Sequence, residues 1–302
     1  MKALKTPLRY PGGKSKAIKT LSPWFPKTIS EYREPFIGGG SIAIEITKSN
    51  PDISVWINDL YVPLYNFWIQ LRDRGEELSE RVREEKQRTL DEGDKDKVTV
   101  KAKELFNKYK QEIDTYDDFE KAVAFFIMNK CSFSGLTENS TFSQSASNSN
   151  FSLVGADKLA QFSKLIKNWK ITNLDYSEVM KAHGSSDTFI FLDPPYDIKD
   201  FLYGKNREMH KKFDHERFAD DVYICVHKFM ITYNVNDRLK ELYKNYNLND
   251  PEIFEEENIP GTLSIFPSYV PHYTTRHYSF TPRITIAMDI VVENREANWI
   301  LL

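Results

Sequence analysis

The uncharged run Thr188-Phe189-Ile190-Phe191-Leu192 ends abruptly in Asp193-Pro194-Pro195-Tyr196. The run reads as a strand, which puts the four residues after it at a strand's carboxyl end, where open α/β sheets hold their ligands. Two consecutive prolines remove two N–H donors and fix the backbone, so carbonyl oxygens are left pointing in rigid directions. Asp193 adds a further acceptor and Tyr196 an aromatic face. Acceptors beside a flat ring suit an amino group conjugated to an aromatic ring, whose nitrogen is a poor nucleophile while its lone pair is delocalised. Hydrogen bonds from that NH2 to the Asp193 carboxylate and the Pro194 carbonyl favour a more tetrahedral nitrogen, and Tyr196 stacks on the ring. Taken alone, the four residues also fit a tight turn with a capping aspartate.

The rest of the chain supplies the sheet that such a strand needs. Apolar stretches around Phe36 and at 53–57 flank Gly38, Gly39 and Gly40, the opening of a βαβ unit. From about 60 to 126 the pattern turns helical and charged, with Leu64, Phe67, Trp68 and Leu71 on one face and then Leu105, Tyr109, Phe119, Val123 and Phe126. A Ser/Asn-rich stretch at 132–152 follows, poor in helix formers. Its aromatics Phe133, Phe142 and Phe151 favour an ordered binding loop over a linker. Alternation then returns: a helix near 157–168, strands at 171–174, Thr188–Leu192, 229–233 and 284–292, and helices after Tyr176 and at about 215–226. A mostly parallel sheet covered by helices is expected, interrupted by a helical segment at 61–152.

Two further motifs bear on chemistry. Gly38-Gly39-Gly40-Ser41-Ile42-Ala43 fits the glycine pattern of a dinucleotide site, with Asp59 about 20 residues on. By itself this proposes a nicotinamide enzyme. Glu34, Phe36 and Asp59 equally suit a cofactor with an adenosine and an amino-acid tail, because Asp59 can take two ribose hydroxyls and a carboxylate can take the ammonium. Arg9-Tyr10-Pro11-Gly12-Gly13-Lys14-Ser15 is not a phosphate-binding loop, since Leu8 stands where the first glycine is required. It remains a turn suited to a small-molecule site, with Tyr10 against the ligand and Lys14 on a carboxylate.

Composition narrows the classes. The 302 residues suffice for one large α/β domain with an insertion, and two cysteines outside any paired spacing, Cys131 and Cys225, read as buried packing with no disulfide framework or zinc site. No apolar stretch reaches membrane-spanning length, and no signal peptide is read at the start of the sequence, so a soluble cytoplasmic protein is expected. A formal charge of −3 leaves nucleic-acid contacts to local clusters. One candidate is Lys205, Arg207, Lys211 and Lys212; another, Arg81, Arg83, Lys86 and Arg88, is interleaved with Glu80, Glu84 and Glu85 and reads as a solvated helix face.

In this order, Arg9-Tyr10-Pro11-Gly12-Gly13-Lys14, Glu34-Pro35-Phe36-Ile37-Gly38-Gly39-Gly40, Asn58-Asp59, Leu174-Asp175-Tyr176 and Asp193-Pro194-Pro195-Tyr196 resemble the α-group of adenine-N6 DNA methyltransferases. That family includes the bacterial GATC methylases and several restriction-modification methylases. The resemblance runs from about residue 7 to about 290. It implies a Rossmann-like, mostly parallel methyltransferase sheet at 1–60 and 153–302, with an inserted, mainly helical target-recognition domain at 61–152. It further implies S-adenosylmethionine bound by Tyr10, Lys14, Glu34, Phe36, Gly38, Gly40, Asp59, Asp175, Tyr176 and Asp193, with 193–196 catalytic and no metal. The segment from Asn129 to Leu136 resembles the one that enters DNA in relatives, so Lys130, Ser132, Ser134, Gly135, Asn139 and Gln144 become candidate contacts to double-stranded DNA. A cognate restriction endonuclease is a candidate partner. Beyond Gly135 the chain departs from the GATC methylases, with Thr141-Phe142-Ser143-Gln144 in place of Phe-Asn-Val-Pro-Phe-Gly, and Tyr233-Asn234 replaces Ser-Asn. The alternative substrates for such a pocket are RNA and a protein glutamine.

Overall fold

The computed structural model describes residues 4–135, 137, 140–196, 213–233 and 237–243, together with the strands Leu263–Pro267 and Ile284–Met288. Seven strands form one sheet: β1 (Glu31–Glu34), β2 (Ser54–Asn58), β3 (Lys170–Thr172), β4 (Thr188–Leu192), β5 (Lys228–Tyr233), β6 (Leu263–Pro267) and β7 (Ile284–Met288). Their order is β3-β2-β1-β4-β5-β7-β6, and each of these pairings is parallel. The chain winds outward from β1 to β3 and returns on the other side of β1 as β4. Connections leaving β1 and β4 therefore diverge, which opens a crevice at their carboxyl ends.

The central strands are buried for different reasons. Every residue of β4 is buried, and its side chains alternate: Phe189 and Phe191 enter the core on one face of the sheet, Ile190 and Leu192 the core on the other. By contrast β1 reads Glu-Tyr-Arg-Glu, and the apolar stretch expected to be a strand around Phe36 is the turn that follows it. A charged strand survives in the middle of the sheet because Arg33 is neutralised in place. Its guanidinium donates to both carboxylate oxygens of Glu31 at 2.9 Å and to the carbonyls of Val179, Ala182 and His183 at 2.7–3.0 Å. Those carbonyls close the end of a helix and would otherwise lack donors.

The described helices are α1 (Ile18–Leu21), α2 (Ser41–Ser49), α3 (Val62–Leu90), α4 (Lys95–Glu112), α5 (Asp118–Cys131), α6 (Gln144–Asn150), α7 (Leu153–Leu165), α8 (Tyr176–Lys181), α9 (His215–Tyr223) and α10 (Asp237–Leu242), of which α4 and α5 pack on α3, and α6 on α4 and α5. In α3 the expected face is the buried one, with Leu64, Phe67, Trp68 and Leu71 all 0% exposed. Each such side chain stabilises the fold by roughly 1.5–3 kcal/mol on area grounds. The helix bends at Arg74 (φ −130°, ψ 32°), beside Gly75, where α7 comes so close that a Cβ on residue 75 would lie 2.2 Å from that of Ser163.

Several expectations change. The Ser/Asn-rich stretch contains a helix, α6, which forms despite poor propensity because the Ser143 hydroxyl caps it and Ala146 and Ser147 are buried. Helix α7 starts at Leu153, earlier than expected, since the Ser152 hydroxyl accepts from the Gly155 amide. The charged run on α3 is not simply a solvated face: Glu85 and Lys86 are buried, Arg81 joins Glu85 to Glu120, and Lys86 lies over the Phe151 ring at 4.9 Å. The basic cluster at 205–212, residues 289–292 of the last expected strand, and Asn234 lie outside the described residues. Both cysteines are buried. Among the described residues, no helix is long and apolar enough to cross a membrane.

Candidate active site

The crevice between β1 and β4 collects most of the residues singled out in the sequence. At the end of β4, Asp193 receives Lys14 Nζ on both carboxylate oxygens, at 2.9 Å (Oδ1) and 2.7 Å (Oδ2). Thr232, on the neighbouring β5, donates to Oδ1 at 2.6 Å. Lys14 is 4% exposed and is held in turn by the Gly12 carbonyl at 2.7 Å and the Tyr196 hydroxyl at 3.0 Å. A carboxylate offers about four lone-pair sites, so the three bonds from described residues leave one, on Oδ2. Tyr233 backs the Tyr196 ring, nearly parallel to it with centroids 6.1 Å apart. Lys14, expected on a ligand's carboxylate, thus has its ammonium on Asp193. Thr232 carried no signal in the sequence, because only the β4–β5 pairing brings it to Asp193.

At the end of β1 the arrangement is different. Glu34 is 3% exposed, and its Oε2 accepts from the Tyr32 hydroxyl at 2.7 Å and from the Ala43 amide, in the first turn of α2, at 3.1 Å. Burial pushes its carboxyl up to about 8, and the nearby Asp193 charge adds to the rise. Asp59, ending β2, accepts from the Gly38 amide at 3.2 Å and the Tyr61 amide at 3.0 Å, and the protein around it raises it to about 6. The turn between the two carboxylates needs its glycines. Gly38 and Gly40 have φ of +46° and +69°, and a Cβ at either would press into the Tyr10 ring (2.9 Å) or the Trp68 ring (2.7 Å). Tyr10 therefore packs on the glycine turn itself.

Phe36 and Tyr176 form the crevice's apolar end, with centroids 5.4 Å apart and Phe213 and Phe218 against both. Asp175 caps α8 through the Ser177 amide at 3.0 Å and is clasped by Arg217 at 2.7 and 3.0 Å. Burial would raise Asp175, but the Arg217 and Ser177 hydrogen bonds outweigh it and hold the carboxyl below its ordinary value. Arg217, from α9, was not foreseen; nothing in its local sequence marks it.

The loop after α5 meets the amino-terminal motif at Arg9, whose guanidinium donates to the Ser132 carbonyl at 2.8 Å. A bridge between Ser132 and Phe142 and a bond from the Phe133 amide to the Thr141 carbonyl (3.2 Å) fold the loop back on itself. Phe142 packs on Phe106 and Phe151 is buried, whereas Phe133 is 65% exposed. Among the expected contacts, Ser134 and Gln144 are exposed and Lys130 is partly so. Ser132 and Gly135 are buried, and the Ser132 hydroxyl accepts from the Thr137 amide at 3.2 Å, so these two shape the loop and do not face outward. Asn139 lies outside the described residues. Burial, with Arg9 and Lys158 nearby, lowers the Lys130 ammonium to about 7. Among the described residues none of these three cations has an ion-pair partner, and no group of three or more His, Cys, Asp or Glu is gathered for a metal.

A parallel sheet whose switch point gathers carboxylates, a glycine turn and an Asp-Pro-Pro-Tyr acceptor edge fits an α/β transferase acting on an amino group. The chain belongs to the D12 class N6 adenine-specific DNA methyltransferases, whose family model matches residues 10–256. It is 25% identical to the type II methyltransferase M.MjaIII of Methanocaldococcus jannaschii, covering 80% of this chain and 84% of that protein. It is also 25% identical to the type II methyltransferase M1.LlaDCHI of Lactococcus lactis subsp. cremoris, over 81% and 86%. A DNA N-6-adenine-methyltransferase of Escherichia phage P1 is 23% identical over 83% of this chain but only 32% of its own length. The chain is thus an adenine-specific DNA methyltransferase, an activity that requires a methyl donor, and the nicotinamide reading of the glycine turn is set aside.

Proposed function

We propose that the chain transfers a methyl group from S-adenosylmethionine to N6 of an adenine flipped out of double-stranded DNA at one short recognition sequence. The single observation that carries this reading is Asp193, fixed by Lys14 and Thr232 with one acceptor position left on Oδ2, beside the rigid Pro194 carbonyl. An amino group donating to both loses part of its conjugation with the ring, which frees its lone pair for attack. Tyr196, backed by Tyr233, stacks on the base, since N6 in a stacked pair is out of reach; flipping costs roughly a few kcal/mol.

The residues at the end of β1 fit the cofactor. Glu34 is a buried carboxylate placed to receive a positively charged ligand, which returns it to its ionised form. Asp59 is suited to ribose hydroxyls, and Tyr10, Gly38 and Gly40 line the approach. Phe36, Asp175 and Tyr176 suit the adenine. When bound, S-adenosylmethionine supplies a methyl carbon already activated by the sulfonium. The protein contributes orientation and fixed acceptors, and the proton displaced from N6 leaves to water.

Residues 61–152 serve as the target-recognition part, set into the catalytic part formed by 1–60 and 153–302. Lys130, Ser134 and Gln144 contact DNA from the loop after α5, where the exposed Phe133 ring offers a face for base stacking. The type II names of two relatives support a place beside a cognate restriction endonuclease, and a cytoplasmic location follows from a DNA substrate.

The test is to incubate the purified protein with S-adenosylmethionine and unmethylated bacterial genomic DNA, then map N6-methyladenine by long-read sequencing. One modified motif is expected. No modification by a protein that still binds the cofactor overturns the assignment.

A further inference from the structure

One side chain ties the loop after α5 to the amino-terminal motif. Asn129, 0% exposed near the end of α5, accepts from the Arg9 amide at 2.9 Å and donates to the Arg9 carbonyl at 2.7 Å. Its amide also donates to the Gly135 carbonyl at 2.9 Å. The first two bonds imitate a strand pairing across 120 residues of sequence, so neither segment can slide without breaking both. Two more contacts reinforce the junction. The Arg9 guanidinium donates to the Ser132 carbonyl at 2.8 Å, and Gly135 (φ +76°) lies so close that a Cβ there would be 2.3 Å from the Arg9 carbonyl oxygen.

On one side of this junction stands the crevice. Arg9 precedes Tyr10, whose ring rests on Gly38 and Gly39 and whose carbonyl accepts from Gly13, next to the Lys14 that holds Asp193. On the other side, Gly135 ends the turn that carries Phe133 and Ser134. Atoms in direct contact therefore run without interruption from Asp193 to the exposed end of the loop, and Asn129 is the side chain that bonds to both Arg9 and Gly135 across the junction.

We propose that Asn129 is a positioning residue that couples the two binding events: cofactor settled against Tyr10 and the glycine turn holds the Arg9 backbone, and through Asn129 holds the loop in the form that engages DNA. Coupling of this kind is reciprocal, so DNA on the loop tightens the cofactor by the same factor. The inference rests on the proposed function, in which the crevice takes S-adenosylmethionine and the loop takes DNA.

The experiment measures binding of a duplex carrying the mapped motif, with and without saturating S-adenosylhomocysteine, in the wild type and in Asn129→Ala. The wild type is expected to bind DNA more tightly with the cofactor product by a factor in the usual range for coupled sites, about 5–150-fold. In Asn129→Ala the factor is expected to fall below about twofold, while affinity for either ligand alone stays within about threefold of the wild type. A folded variant that keeps the full factor, or a wild type that binds both ligands without coupling, overturns the proposal alone. A wild type that fails to bind S-adenosylhomocysteine overturns the functional reading and the coupling with it. Should Asn129→Ala not fold, hydrogen exchange on the wild type decides. The product is expected to slow exchange of the Phe133 and Ser143 amides, both bonded within the loop, and slowing confined to 10–14 and 34–40 overturns the proposal.

Discussion

Glu34 and Asp193 close adjacent strands of one sheet, and the protein treats the two carboxylates in opposite ways. Asp193 has its cation built in, since Lys14 reaches both oxygens and Thr232 fixes the rotamer. Among the described residues the donors to Glu34 are neutral, Tyr32 and the Ala43 amide, and burial pushes it up to about 8. A group that must receive a neutral amino group has to be charged and oriented beforehand, because the incoming partner brings no charge to induce it. A group that receives a cation can be left uncompensated, because the ligand completes it. Target side and cofactor side thus differ in whether the protein or the ligand supplies the positive charge.

The largest effect that would break this comparison is at Asp193. Asp193→Asn keeps the size and one acceptor but loses the charge, and turnover is expected to fall by at least roughly 100–1,000-fold with DNA and cofactor binding retained. Single-turnover kinetics checks it, and a variant of near-normal rate would end the catalytic assignment. Next is Lys14→Met, which strands Asp193. Removing one partner of a fully buried pair costs about 3–5 kcal/mol, and the partial exposure of Asp193 brings the expected loss of stability to the lower end or below it. Denaturant unfolding measures that loss, and the rate is expected to fall as well.

A pH series sharpens the other half of the comparison. The raised carboxyl of Glu34 binds a proton in the folded state that the unfolded state releases from 4.5 upward, so its contribution to stability is complete below 4.5 and is lost as the pH rises to about 8. Asp59 acts in the same sense between 3.8 and about 6. Without ligand, the melting temperature is expected to fall across that interval, and Glu34→Gln is expected to flatten the slope. Cofactor affinity in the wild type is expected to rise over the same range, as Glu34 becomes ionised; a flat profile would remove the cation-receiving role.

The smallest effect is expected at Lys130, the mirror image of Glu34: a cation with no carboxylate partner among the described residues, lowered to about 7 by burial and by Arg9 and Lys158. A phosphate beside it would restore its charge, so DNA affinity is expected to decline as the pH rises above about 7. Lys130→Gln is expected to weaken all duplexes alike and to reduce the salt dependence by about one counterion. Titrations at several salt concentrations test this, and a sequence-selective loss would argue against a phosphate contact.

Much of the fold could be read from local pattern. The strand Thr188–Leu192 and the buried face of α3 followed from apolar periodicity, because both elements are buried in the way their patterns declare. What escaped had its reason elsewhere in the chain. The strand β1 was hidden because Arg33 is matched by Glu31 and by carbonyls about 150 residues away, and α6 because a serine cap and burial outweigh its composition.

The candidate site divides along the same line. By itself the sequence determined which residue types stand at the ends of β1 and β4, since Asp193-Pro194-Pro195-Tyr196 and the glycine turn are contiguous and their chemistry is local. Only the tertiary structure decided what those residues touch. That Lys14 meets Asp193, that Thr232 joins them, that Arg217 clasps Asp175, and that Asn129 binds both Arg9 and Gly135 are all contacts across distant segments. Strand order and helix packing set such distances, and one side chain's own neighbours in sequence contain no information about them.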